Sequence, residues 1–413
     1  MGDRLQGSAG PANRWAFVAA AAASCIANAT WWLQPVLMHD LVTGRAFGQA
    51  EAGLVISIEM AAMAGVSAIL ARLAIGQSLR ALAIIGIGLA ILASVLSLLP
   101  LPYPGLLAVR AVAGVGMGAS LLLSNLVGAL FADPDKAFAR MGVINLLFGT
   151  IMLGALPYVS AEAVASAAYL MLLLALIVLL APTFLLPGEI VIPARRAPDD
   201  AMGSRQTLSL RITLLILVTF AIGITTGMVW AFVGLIGDAA GLSSTAIEHA
   251  ISIAILTAIL GVALAAIIGS RFGRVWPIGI ALTLITIAIF VMCNRPDALT
   301  FRIALCAEVA AIYFLVPYLF GAAAAQDETG RGVAFVGSAY FATGAISPAL
   351  GGAVAASIGL EAVALALLIT SIASMAVVIG LERAGRSERS APDAPPVGSV
   401  ARQMPIMTGD GDA

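Results

Sequence analysis

Residues 103–132 read YPGLLAVRAVAGVGMGASLLLSNLVGALFA, and their single charge is Arg110. Arg110 is also the only Asp, Glu, Lys or Arg between Arg80 and Asp133. A bilayer core takes about 20 apolar residues per helical crossing, so this interval holds two crossings, carried by the charge-free runs 81–109 and 111–132. The rest of the chain repeats the pattern. Charge-free runs also cover 15–39, 141–161, 163–188, 212–237, 249–270, 275–294, 309–326, 332–360 and 362–381. The stretch Ala52–Ala71 is as apolar and is interrupted only by Glu59. Twelve membrane helices are expected. These runs are continuous and rich in Leu, Ile, Ala and Gly, unlike barrel strands, which alternate over about ten residues.

Composition agrees. Of 413 residues 61% are hydrophobic and 10% charged, against about 25% charged in an ordinary soluble domain. So few charges cannot cover a water-facing surface, and the chain reads as an integral membrane protein. The formal net charge of −1, with no basic stripe, argues against nucleic-acid binding. Cys25, Cys293, Cys306, His39 and His249 form no metal-binding spacing, and no glycine-rich nucleotide loop ends in Gly-Lys-Ser/Thr. No metal, cofactor or catalytic residue is expected, and the chain does not read as an enzyme. A polytopic membrane enzyme, the remote alternative, requires a cluster of His, Asp or Ser on facing spans.

Lys and Arg set the orientation, because cytoplasmic loops retain them. Arg14, Arg72, Arg80, Lys136, Arg140, Arg271 and Arg274 are among seventeen on the side of the termini, against Arg45, Arg295 and Arg302 opposite. Both termini are therefore expected in the cytoplasm, in a cell membrane such as the bacterial inner membrane. The run from Trp15 to Ile26 followed by Ala27-Asn28-Ala29 imitates a signal peptide, but it continues apolar to Met38 and reads as the first span. The polar interval after Pro187 divides the spans six and six. The expected organisation is an N-terminal segment (1–13), a six-helix bundle (14–186), a cytoplasmic linker (187–211), a second six-helix bundle (212–382) and a disordered tail (383–413).

The halves echo each other. Laying Arg110 on Arg302 puts Gly116 on Glu308 and Asn125 on Pro317, and the turns after the second and eighth spans carry Gly76 with Arg80 and Gly269 with Arg271, Gly273 and Arg274. Duplicated halves with a midplane site are a transporter arrangement.

These residues resemble the major facilitator superfamily over about 14–382. Arg110, Gly114, Gly116 and Gly118 match the family's Arg-x-x-x-Gly-x-Gly-x-Gly pattern, which in proton-coupled members implies proton transfer. Gly269-Ser270-Arg271-Phe272-Gly273-Arg274 is similar to the second-half copy of the Asp-Arg-x-Gly-Arg gating loop, with Ser270 in the acidic position. The first-half copy, from Arg72 to Arg80, lacks the acid. The resemblance implies an all-α polytopic fold of two pseudo-symmetric six-helix bundles that alternates access to a central cavity. The Gly-Pro motif of drug antiporters is missing from the fifth span, which has Gly149, Gly154 and Pro157 instead.

An ionisable residue inside the bilayer costs at least a few kcal/mol, which makes Glu59, Arg110 and Glu308 the candidates for proton coupling. At 1.5 Å per residue they lie roughly 9–14 Å from the external face. Burial penalises a charged carboxylate and a nearby guanidinium favours it, so relative movement of Arg110 and a carboxylate would load and release a proton. Candidate substrate contacts are Asn28, Trp31 and Gln34 on the first span, together with Asn125, Asn145, Trp230 and Tyr313. Arg72, Arg80, Ser270, Arg271, Gly273 and Arg274 are the candidate gating-loop residues. The expected function is proton-coupled secondary transport of a small organic solute by a monomer in the lipid bilayer. Uptake by symport and export by a drug or metabolite antiporter are both open.

Overall fold

A computed structural model describes residues 11–73, 76–131, 133–159, 166–186, 209–269, 271–294, 297–326, 331–359 and 361–390. It contains twelve α-helices and, among the described residues, no strand. The first six are α1 (Pro11–His39), α2 (Gln49–Leu73), α3 (Leu79–Ser97), α4 (Tyr103–Ala129), α5 (Pro134–Val159) and α6 (Ala167–Thr183). The second six are α7 (Leu210–Ala239), α8 (Ser244–Ile268), α9 (Val275–Cys293), α10 (Ala298–Ala324), α11 (Arg331–Ser357) and α12 (Glu361–Ser390). Eleven are long and apolar enough to cross a membrane, and α6 is a shorter apolar helix. This is a multi-pass membrane protein.

Local chemistry sets the helix starts. The side chains of Ser78, Ser166, Ser209 and Ser243 accept backbone N–H groups at the starts of α3, α6, α7 and α8, satisfying donors that a helix start leaves free. Asp297 does the same for α10, accepting from Leu299 N and Thr300 N at 2.9 Å each. The Thr300 bonds hold its carboxyl below the usual carboxylate range. The turn between α3 and α4 falls at Leu98–Pro102, with Pro102 as the cap of α4. Charge alone could not locate that turn, because the turn carries none. Arg110 consequently lies two turns inside α4.

Outward-facing side chains such as Ile85, Val178, Ile267, Ile280 and Ile372 are well exposed. A belt of this kind suits hydrocarbon and would aggregate in water. Polar backbone groups stay inside helices, as a bilayer demands.

The two halves are built alike. α4 packs along α2 and α3, and α10 along α8 and α9. Close approach requires residues without side chains: a Cβ on Gly114 would land on the Glu59 carbonyl of α2, and one on Gly116 on the Gly86 carbonyl of α3. In the second half the glycine changes sides, since Gly261 of α8 faces the Ala310 carbonyl of α10. The anticipated pairing of Arg110 with Arg302 does not hold. Arg302 stands about one turn nearer the start of its helix and is exposed, whereas Arg110 is fully buried. The second half has no equivalent of that arginine at this position.

Of the expected linker only residues 209–211 are described, and Arg195, Arg196 and Ser270 lie outside the described residues. α12 runs to Ser390, past Arg383, where disorder was expected. No proline interrupts the chain before Pro392, and its Ala, Arg and Glu are compatible with continued helix.

The halves touch at one end. Ala349 N of α11 donates to Ser57 Oγ of α2 at 2.9 Å, Ser252 Oγ of α8 donates to Thr150 O of α5 at 2.9 Å, and Trp230 Nε1 of α7 donates to Trp31 O of α1 at 3.0 Å. Gly53 faces the Pro348 carbonyl, Gly352 the Gln49 carbonyl and Gly234 the Pro35 carbonyl. All these contacts lie in the half of the helices remote from Pro11 and Ser390, called here the distal half.

Candidate functional site

Two separate buried polar clusters contain the three ionisable residues singled out in the sequence. In the first half Arg110 donates through Nε to Glu59 Oε2 at 3.0 Å and through Nη2 to Glu59 Oε1, a two-pronged ion pair. Thr30 Oγ1 adds a bond to Glu59 Oε1 at 2.8 Å, and Arg110 Nη1 reaches Ser97 Oγ at 3.3 Å. The guanidinium carbon stands 5.0 Å from the centre of the Tyr169 ring, within cation–π range. Glu59 is 2% exposed and Arg110 0%. α1, α2, α3, α4 and α6 thus all contribute to one charged knot, in which the guanidinium and the carboxylate satisfy each other.

Glu308 differs. It is 1% exposed, and its Oε1 has no hydrogen-bond partner. It lines a cavity of about 30 Å³ between the halves, room for one or two water molecules. α1 contributes Trp31 and Trp32 to the walls, and α7 contributes Gly223, Thr226, Gly227 and Trp230. α10 adds Val309, Ile312 and Tyr313 beside Glu308, and α11 closes the space with Tyr340 and Thr343. The Trp32 and Trp230 rings meet edge to face with centres 6.4 Å apart.

Of the anticipated substrate contacts, Trp31, Trp230 and Tyr313 line this cavity, while Asn28, Gln34, Asn125 and Asn145 do not. Asn28 Nδ2 bonds back to Ser24 O of its own helix at 2.9 Å. Gln34 Nε2 is 2.8 Å from Met60 Sδ. Asn145 Oδ1 accepts from Trp32 Nε1 at 2.7 Å and so orients a wall residue from behind. Asn125 is exposed on α4. The amides were singled out because of their spans, but the rotation of each helix decides which side chains converge.

Sequence reasoning missed Tyr340, Thr226 and Thr343, which carry no distinguishing signal in an apolar run. It also passed over Glu248, a third buried carboxylate, 6% exposed at the distal start of α8, whose Oε2 has no partner. A charge at the edge of an apolar run reads as a loop residue, and this one has instead been drawn inward. In the gating loops Arg80 Nη1 reaches Leu186 O at 3.5 Å, while Arg271 is exposed and Arg274 half-buried. Gly76, Gly269 and Gly273 have positive φ, which glycine adopts without strain. The side chain of Arg72 lies outside the described residues.

The family model described as Major Facilitator Superfamily matches residues 215–407. No curated protein matches by sequence. Among solved structures, the nucleoside transporter NupG is 15% identical and superposes with a TM-score of 0.64, covering 91% of this chain and 99% of that one. A structure described as showing substrate recognition in proton dependent oligopeptide transporters is 13% identical, with a TM-score of 0.68 over 89% of this chain and 99% of that one. A mutant of the peptide transporter POT in complex with sulfate is 12% identical, with a TM-score of 0.69 over 93% of this chain and 99% of that one. Identities this low speak for the fold. The chain shares that two-bundle fold along its length and is matched by the Major Facilitator Superfamily model through its second half.

Proposed function

We propose that this protein is a secondary active transporter that moves a small organic solute by alternating access and couples the movement to protons through Glu308. The observation that carries the reading is the unpartnered carboxylate of Glu308, buried in a cavity where the two halves meet. A carboxyl in such a place is held neutral by a proton or charged by a cationic neighbour, so its occupancy can change as the halves rock. Glu59 and Arg110 support the cycle as an ion pair that fixes α2 against α4. The termini, and with them the proximal ends of the bundles, are read as cytoplasmic from the excess of Lys and Arg there. On that reading the distal contacts close the external side.

Nucleosides and peptides are named for the transporters that share the fold, and both belong in the first screen. Purified protein in liposomes is expected to accumulate at least one member of a panel of nucleosides, dipeptides and organic amines when a pH gradient is imposed. Collapse of the gradient by a protonophore should abolish that accumulation. The sign of the productive gradient decides between symport and antiport. Failure of every solute, with the protein shown to be folded, would count against transport.

A further inference from the structure

We propose that the Glu308 cavity is an aromatic cage for an organic cation, a protonated or quaternary amine, and that this cation and the coupling proton compete for the Glu308 carboxylate. The proposal rests on the transporter reading above and names its substrate class. Trp31, Trp32, Trp230, Tyr313 and Tyr340 line the same cavity as the carboxylate. Aromatic faces attract cations through their quadrupole, most strongly where water is excluded.

Most other polar groups of the wall are already engaged. Trp32 Nε1 donates to Asn145 and Trp230 Nε1 to Trp31 O. Thr226 Oγ1 donates to Ile222 O at 2.9 Å, and Thr343 Oγ1 to Tyr340 O at 2.6 Å, each a bond within its own helix. A sugar or a nucleobase needs several donors and acceptors and would find few. An anion would meet a carboxylate, since among the described residues no Lys, Arg or His lines the cavity. A cation brings what the site lacks, a charge partner for Glu308 and an apolar body for the rings.

The titratable groups facing Glu308 are Tyr313 on its own helix and Tyr340 on α11. Among the described residues α1, α7, α8 and α9 bring it no charged group. With no other counter-ion present, one carboxylate cannot hold a proton and a cation at once. Binding of either expels the other, which is the stoichiometric basis of exchange. The cavity of about 30 Å³ must widen to admit an amine, as it would when the halves part.

The test is calorimetric titration of the full-length protein in detergent with phenyltrimethylammonium, benzyl alcohol and benzoate, three probes of similar size and different charge. The cation should bind at least about tenfold more tightly than either of the others. Its affinity should rise with pH by up to about tenfold per unit, because each bound cation displaces one proton. Glu308→Gln should remove both the charge preference and the pH dependence, and Glu308→Asp, which keeps the charge, should retain them. Equal binding of benzyl alcohol or benzoate, or a preference that survives Glu308→Gln, would overturn the proposal. If the cation fails to bind while liposomes accumulate another solute along a pH gradient, the cage is wrong and the transporter stands. If the cation binds as described and no solute is moved, the cage stands and transport falls.

Discussion

Arg110→Met is expected to cost about 3–5 kcal/mol of stability, because it leaves a buried carboxylate without its partner. Glu59 would keep only the Thr30 hydroxyl, and the Ser97 hydroxyl and the Tyr169 ring would lose the guanidinium they now face. Replacing both members of a buried pair with neutral groups removes that penalty, so Glu59→Gln combined with Arg110→Met should recover most of the loss. Denaturation of the wild type and the single and double variants in detergent measures the difference. A single variant as stable as the wild type would mean that Glu59 is not charged opposite Arg110, and the ion-pair assignment would be lost.

The second large effect is expected at the distal contact. A Cβ on Gly53 would already collide with the Pro348 carbonyl, so Gly53→Trp prevents α2 and α11 from meeting there. A penalty of about 1–3 kcal/mol on one of two conformations shifts their ratio roughly 5- to 150-fold. Transport should fall correspondingly, since a carrier held open on one side cannot complete its cycle. The trapped state should also be visible directly. Thr343 lines the cavity, and a cysteine placed there should react with an impermeant thiol reagent from the distal side faster in the Gly53→Trp background than in the wild-type background. Wild-type transport rates in Gly53→Trp would show that this contact does not open and close.

Much of the fold could be read in the sequence because charge is unfavourable in hydrocarbon. Eleven long apolar runs and the Glu59 stretch anticipate twelve helices, and those helices are present. Two features depart from that reading. The α3–α4 turn has no charged residue, so only the structure locates it at Leu98–Pro102. The tail looked too polar to fold, yet α12 continues to Ser390, with no proline before Pro392 to stop it.

The site was legible in its charges and largely illegible in its walls. Glu59, Arg110 and Glu308 stood out as ionisable groups in apolar runs, and all three are buried. Their similar depths allowed an ion pair between Arg110 and either carboxylate. Packing of α4 on α2 through Gly114 brings Glu59 to the arginine, while Glu308 faces the space between the halves. Tyr340 and Thr343 resemble any other residues of α11 in sequence. Only the rotation of α11 against α7, set by contacts such as Thr343 on Gly223, brings them to the cavity.

Glu308 is the residue on which the proposed coupling turns, and it can be tested by the proton movement that a transported solute evokes. Protein reconstituted in liposomes with a trapped pH indicator is given a solute identified by the screen, without any imposed gradient. The wild type should shift the internal pH as solute moves. Glu308→Gln should exchange labelled for unlabelled solute with no pH change, because its amide carries no proton at these pH values. A solute-evoked pH change of wild-type size in Glu308→Gln would contradict the account.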